Sequence, residues 1–330
     1  MRQYLDIVKK VLHEGKWKSP VRKNEQTGEW EPVDGGVRTL ACPNIVFSHD
    51  MAEGFPLITT KKMAFRTMCV ELEGFIKGIT DKAWFQERKC KIWNEWANPE
   101  AVAIMQEQLQ EAHPDNAEYD TKFVQKIAND LGPIYGYQWR QFNKTYHYGG
   151  QSEDDGDWNN YTDQLKNIVE TLTNNPMDRR MVCSAWNPNQ IKYMALPPCH
   201  YSWNVTVIGD ELNLFWAQRS CDLMLGVPFN IASYGLLLTL LAQVGGFKRG
   251  NLSGMLVDCH IYEGQILAAE EQVTREPGKL PEIELRVNSK DLGNSYSKTG
   301  KFDIFDWTYS DVILNGYEPQ EKISFGDVVV

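Results

Sequence analysis

Tyr201-Ser202-Trp203-Asn204-Val205-Thr206-Val207-Ile208-Gly209-Asp210-Glu211-Leu212-Asn213-Leu214-Phe215-Trp216-Ala217-Gln218-Arg219 reads as two strands joined by a two-residue turn. Apolar and polar residues alternate on both sides of Gly209-Asp210, the period of a half-buried strand, and Gly-Asp is a favoured tight-turn pair. Working outward, further strand-like runs occupy Met181–Trp186 and Gly254–Asp258, and Ala41–Phe47 reads as another strand. Residues 3–14 place Tyr4, Leu5, Ile7, Val8, Val11 and Leu12 on one helical face and end at Gly15. Phe65–Gly78 and Gln164–Asn174 repeat that pattern, with Asn175-Pro176 stopping the second. Tyr234–Gly246 reads as a buried core helix. Mixed strands and helices without a linker or internal repeat predict one α/β (α+β) domain over 1–330. Surface insertions are expected at 16–38 (a polar loop with tryptophan), 98–129 (helical but polar) and 143–160 (rich in Tyr, Gly and Asp).

With 330 residues, 42% hydrophobic content and eleven tryptophans, the chain has ample material for a core. Its net charge of −10 argues against a broad nucleic-acid surface, so no stable nucleic-acid partner is expected, and an anionic ligand must meet a local arginine cluster. The seven cysteines form no CxxC, and Met1-Arg2-Gln3-Tyr4-Leu5 lacks the apolar run of a signal peptide, so reduced thiols in a cytoplasm are expected. The apolar run at 234–246 carries Thr239 and Gln243 and falls short of the roughly 20 residues that span a bilayer. No membrane association is expected.

The chemistry concentrates around Cys199. Two prolines, Pro197 and Pro198, restrict the backbone before it, and Gln218-Arg219-Ser220-Cys221-Asp222 and Gly226-Val227-Pro228-Phe229-Asn230 follow. An unperturbed thiol is only about 3% thiolate at neutral pH, so a nucleophile here needs a cation, which Arg219 on the paired strand supplies. Adjacent residues of a strand point to opposite faces, so His200 is poorly placed as a base for Cys199 and a thiol protease is disfavoured. Asp178-Arg179-Arg180, Arg22 and Arg38 can join Arg219 in a phosphate clamp, because guanidinium forks bind phosphate oxygens in pairs. The Asn230 amide offers a donor and an acceptor, the complement of the uracil O4 and N3–H edge. Glu71, in an otherwise apolar helix, is a candidate general acid/base whose pKa burial would raise; the plainer alternative, suggested by Glu73 beside it, is an exposed helix-face glutamate. Asp258-Cys259-His260 lacks the companions of a metal site, and no metal is expected.

Together these residues resemble the thymidylate synthase family. The resemblance covers most of the chain: Gly54-Phe55-Pro56-Leu57-Ile58-Thr59-Thr60-Lys61-Lys62, Ile92-Trp93-Asn94-Glu95-Trp96, Asp130-Leu131-Gly132-Pro133-Ile134-Tyr135-Gly136-Tyr137-Gln138-Trp139-Arg140, Asp178-Arg179-Arg180, Met194–His200, 218–234 and His260-Ile261-Tyr262. It implies a mixed, largely antiparallel sheet with surrounding helices and a sheet-to-sheet homodimer. It also implies methylation of deoxyuridine monophosphate (dUMP), with 5,10-methylenetetrahydrofolate as carbon and hydride donor. In such an enzyme Cys199 adds to C6 of uracil, Glu71 moves protons at O4, Tyr135 assists near C5 and the sugar, and Asn230 selects uracil. Gln218, Arg219 and Ser220 bind nucleotide with Arg22 and with Arg179 and Arg180 of a second subunit; His260 and Tyr262 hold the sugar hydroxyl. Asp222, Ile92, Trp93, Trp96, Leu196, Leu225, Gly226, Phe229 and Val329 line the folate site.

The chain departs from the family in three places. Arg22 stands where an Arg-Thr-Gly-Thr-Gly-Thr loop is usual, with Arg38 as the alternative; Ala41–Phe47 lacks the usual Gly-x-Gln-Met-Arg; Glu73-Gly74-Phe75 replaces Leu-Trp-Phe. The alternative function is a dUMP hydroxymethylase, in which water replaces the folate; cytosine-specific relatives carry aspartate in place of Asn230. Trp93 and Val328-Val329-Val330, expected to close over folate and exclude water, favour the synthase. A catalytically idle nucleotide-binding module would tolerate loss of Cys199 or Glu71, and both are present.

Overall fold

The computed structural model describes residues 1–33, 35–96, 128–146, 161–286 and 302–325. Nearly all of the expected 98–129 helical segment, most of 143–160, and the terminal valines including Val329 lie outside the described residues.

Helix α1 (Arg2–Glu14) buries Tyr4, Leu5, Ile7, Val8 and Val11, the face its spacing predicts. It ends where Gly15 passes so close to the preceding turn that a Cβ would lie 2.4 Å from the Val11 carbonyl oxygen. The stretch expected as a polar loop, 16–38, instead carries three short strands: β1 (Lys16–Lys18), β2 (Val21–Lys23) and β3 (Trp30–Pro32). Strands of three residues are too short to show a period, so the sequence reads as loop. β2 and β3 form a ribbon of their own, while β1 edges the main sheet beside β4 (Thr39–Asp50).

The hairpin of the opening sequence is β6 (His200–Ile208) and β7 (Glu211–Gln218), turning at Gly209 with φ +65°. β5 (Val182–Ser184) lies on its outer side, shorter than expected. On the inner side runs β9 (Lys248–Tyr262), three times the length of the expected 254–258 strand. The sheet order is β1-β4-β9-β7-β6-β5, and β8 (Cys221–Asp222) pairs with β9 past the end of β7. β7 and β8 run parallel to β9 and every other pair in the sheet is antiparallel. The fold class is therefore the expected α/β (α+β) one, with a mixed, mostly antiparallel sheet.

Seven helices are described: α1, α2 (Phe65–Lys77), α3 (Lys82–Glu87), α4 (Tyr135–Gln141), α5 (Gln164–Asn174), α6 (Gly226–Gly245) and α7 (Ile266–Thr274). α2 closes on Gly78 in the left-handed conformation, and Asp163 caps α5 by accepting from the Lys166 N–H. α6 begins eight residues before the expected core helix, because Pro228 in its first turn needs no N–H partner. At 20 residues it is long and apolar enough to cross a membrane by length and composition, yet 72% of its most apolar window is buried inside the protein. The expectation that this run is too short thus fails on length, while its assignment as a core helix holds.

α1 and α6 lie over one face of the sheet, where Phe47, Trp203, Leu214, Trp216, Leu252 and Leu256 are buried, and α2 packs on α4 and α6. The register puts Val46, Met255, Phe215 and Val182 together on the opposite face; Val46, Phe215 and Val182 are exposed there. Two of the unusual residues of α2 have structural reasons. The Phe85 ring fills the place of a side chain at Gly74, where a Cβ would lie 2.3 Å from it. Glu73 is buried, bonded to Lys77 at 2.6 Å and to the Tyr309 N–H at 2.9 Å, and so ties α2 to the segment preceding the strand Val312–Asn315.

Candidate active site

Of the seven thiols, only Cys199 is not buried. Its N–H donates to the Tyr135 hydroxyl at 2.8 Å, and its carbonyl accepts from the Arg219 N–H at 2.8 Å. The open end of the β6–β7 hairpin therefore brings nucleophile and cation together, as the sequence predicts. The Arg219 guanidinium donates from Nε and Nη2 to the Pro198 and Pro197 carbonyls at 3.1 and 2.8 Å. Its Nη1 makes no bond to a described residue. Burial pushes the Cys199 thiol up, and the Arg219 charge and Tyr135 pull it back. A thiol under such opposing influences is reactive only while that cation stays near.

His200 faces away from the thiol, as strand geometry requires. Its Nδ1 lies 2.9 Å from the Tyr234 hydroxyl, its ring stacks on Tyr135 at 4.3 Å, and burial pushes its pKa down to about 3. A neutral imidazole on the far side cannot activate Cys199, and a Cys–His pair is excluded. His200 and Phe75 instead form an aromatic cluster with Tyr135, the Phe75 ring at 4.9 Å from it and 6.2 Å from His200, and fix the hydroxyl that receives the Cys199 N–H.

Glu71 is 8% exposed, and burial lifts its pKa to about 7. The Trp93 indole opposes that rise, although its N–H has no partner within normal hydrogen-bond geometry; we read the contact as electrostatic. The argument that neighbouring Glu73 marks an exposed face fails, since both carboxylates are buried and Glu73 has Lys77 as counter-ion.

Gln218 is the hub of the corner that carries Asn230. Its Oε1 accepts from the Trp216 indole at 3.2 Å, and its Nε2 donates to the Ser220 carbonyl and to Asn230 Oδ1, both at 3.0 Å. This fixes which way the Asn230 amide points and leaves Nδ2 without a partner among the described residues. Gly226 lies between this amide and Asp222: a Cβ there would be 3.9 Å from Asn230 Oδ1 and 3.7 Å from Asp222 Cβ. Asp222 Oδ1 accepts from the Met224 and Leu225 N–H groups, yet burial still raises its pKa.

Strand pairing sets Asp222 beside His260, and the His260 ring meets Tyr262 edge-on at 5.1 Å. Ile92 is 37% exposed beside the buried Trp93, while Trp96, Leu196, Leu225 and Phe229 are half-buried against the core. Trp93 lies 6.0 Å from Tyr135, which links the 92–96 segment to the Cys199 cluster.

The remaining arginines lie apart. Arg179 and Arg180 are exposed, and Arg180 is paired with Asp178, whose carboxyl it holds down at about 2. Arg22 is exposed on the β2–β3 ribbon with no side-chain partner among the described residues. Arg38 instead stands where β4 begins: its carbonyl accepts from the Glu263 N–H, and Thr39 pairs with Tyr262.

Sequence reasoning gave no role to Lys61, although a lysine ending the apolar run Phe55–Thr60 is a visible signal. It is 5% exposed, donates to the Met224 carbonyl, and lies over the Phe325 ring at 4.2 Å. Burial lowers its pKa to about 8, against the attraction of Asp222. Asp258 and Trp216 were likewise missed as supports of the site.

A family model described as thymidylate synthase matches residues 2–329. The chain is 35% identical over 323 residues, 97% of its length, to a bifunctional dihydrofolate reductase-thymidylate synthase of Paramecium tetraurelia. It spans 60% of that relative's length. A match over nearly every described element, with Cys199, Arg219 and Asn230 gathered at one corner of the sheet, has one reading: the chain belongs to the thymidylate synthase family.

Proposed function

We propose that this protein converts dUMP to thymidine monophosphate, with 5,10-methylenetetrahydrofolate as donor of both the carbon and the hydride and dihydrofolate as the second product. The observation that carries the reading is the one thiol that is not buried, joined through its own backbone to Tyr135 and Arg219. In this reading the Cys199 thiolate forms a bond to C6 of uracil, and the electron pair displaced to C5 makes that carbon a nucleophile toward the methylene carbon. Glu71, poised near 7, passes protons at O4, its ionised and neutral forms both accessible at working pH. A proton leaves C5 as the bond between the methylene carbon and the folate nitrogen breaks, hydride from the released folate adds to that methylene to complete the methyl group, and expulsion of Cys199 restores the ring.

Asn230, oriented by Gln218, reads the pyrimidine edge; His260 and Tyr262 meet the sugar. Trp93, Trp96, Leu196, Leu225, Gly226 and Phe229 offer the apolar wall, and Asp222 the acceptor, that a pterin needs. Arg219 and Ser220 hold phosphate. Between the two amino-terminal arginines, Arg38 is the better supported, since it adjoins the strand end carrying Tyr262, whereas Arg22 has no contact with the cluster. The protein acts as a homodimer through the exposed sheet face of Val46, Phe215 and Val182, and exposed Arg179 and Arg180 serve the partner's site. Seven unpaired thiols support a reducing, cytoplasmic setting. Similarity to a bifunctional synthase supports methyl formation over the hydroxymethylase alternative. Product analysis from dUMP and methylenetetrahydrofolate tests the reading: 5-methyl product supports it, and 5-hydroxymethyl product or no turnover refutes it.

A further inference from the structure

We infer that Asp258 is a positioning residue that fixes the tautomer of His260 and thereby makes the site read a sugar hydroxyl as a hydrogen-bond donor. The inference rests on the proposed nucleotide site, but its first test does not depend on turnover.

His260 is 5% exposed, and its Nδ1 faces two oxygens of the same residue: the Asp258 carbonyl at 3.1 Å and the Asp258 carboxylate Oδ1 at 3.4 Å. Both are acceptors. A neutral imidazole carries one N–H, and against two acceptors that proton belongs on Nδ1. Nε2 then holds the lone pair; it makes no bond to a described residue and is not among the sealed polar atoms, so it is open to a ligand. The carboxylate is itself held by Lys18, which β1 carries to the edge of the sheet and which donates to Oδ2. His260 and Lys18 together hold the Asp258 carboxyl down at about 2, so it stays an acceptor at every working pH. Tyr262, edge-on to the imidazole, has its phenol raised chiefly by burial and remains a donor. An acceptor nitrogen beside a donor hydroxyl complements an alcohol, which donates once and accepts once. It does not complement a hydrogen, a ketone or an ether at the same position.

The first test is the nitrogen-15 spectrum of histidine-labelled, ligand-free full-length protein, with His260 assigned by its absence in His260→Gln. The expected result is the Nδ1–H tautomer in the parent and a shift toward Nε2–H in Asp258→Asn, whose amide can donate to Nδ1. An Nε2–H tautomer in the parent overturns the inference whatever the protein catalyses. The second test compares dUMP with its 3′-deoxy analogue. Asp258→Asn should lower kcat/KM for dUMP by about tenfold, mainly through KM, and change the analogue by less than about twofold. Equal losses on both substrates mean that Asp258 is only structural and refute the inference. Absence of turnover by the parent instead refutes the proposed function and leaves the spectrum to decide the tautomer.

Discussion

Replacing Glu71 with glutamine should make the protein more stable and nearly inactive at the same time. Its carboxyl sits at about 7 against an ordinary 4.5, because burial disfavours the charged form. A raised carboxyl binds its proton more tightly in the folded state, so its contribution is fully favourable below pH 4.5 and is lost as pH climbs through 7. At 1.36 kcal/mol per pH unit, ionising Glu71 in place costs the fold about 3 kcal/mol at pH 8. Glutamine keeps the shape and removes that cost. Urea unfolding at fixed protein concentration should therefore show Glu71→Gln about 2–3 kcal/mol more stable than the parent at pH 8 and nearly equal to it at pH 4.5. Methyl-forming kcat should fall by roughly 10²–10⁴, and the inflection near pH 7 in kcat/KM should vanish. A stability difference independent of pH, or kcat within threefold of the parent, would refute the reasoning that Glu71 is a buried, proton-handling carboxyl.

Three further outcomes are expected. Cys199→Ser should retain nucleotide binding and lose turnover by more than about 10³-fold, since an alkoxide is far less accessible than a thiolate at neutral pH; activity within tenfold of the parent contradicts its role as nucleophile. Mixed dimers of Arg180→Ala and Cys199→Ala subunits should recover part of the parent activity through one intact site; mixtures with verified subunit exchange that stay as inactive as their parents place the arginines within their own chain. Arg38→Ala should raise KM for dUMP by about tenfold and Arg22→Ala by less than threefold, in line with the worth of a charge-assisted phosphate contact; the reverse order returns the phosphate role to Arg22.

The hairpin was legible because both strands keep one face buried and one face wet, so the period of two survives in the sequence. β9 was legible only over Gly254–Asp258, a third of its length, because Gly250 and Gly254 weaken its pattern; each lies against a partner side chain, Asn213 and Trp216, where a Cβ would come within 2.5 Å. β4 was read over Ala41–Phe47 but not to its full 12 residues, Thr39–Asp50, since Pro43 and Asn44, the latter at φ +53°, weaken the strand signal inside it. In the site, Cys199, Arg219 and Asn230 could be found because they carry distinctive chemistry within one short stretch. Lys61 and Lys18 were harder to find, since each acts on a partner far away in sequence, such as the 240 residues separating Lys18 from Asp258.

The missing side chain at position 254 has a historical consequence. The Trp216 indole occupies that space and also steadies Gln218, which steadies Asn230. Under the role proposed for Asn230, mutational drift at 254 is thereby coupled to the base that the site accepts. A lineage that acquires alanine there must first surrender the tryptophan, and with it the rigidity of the amide that the proposal assigns to the pyrimidine edge.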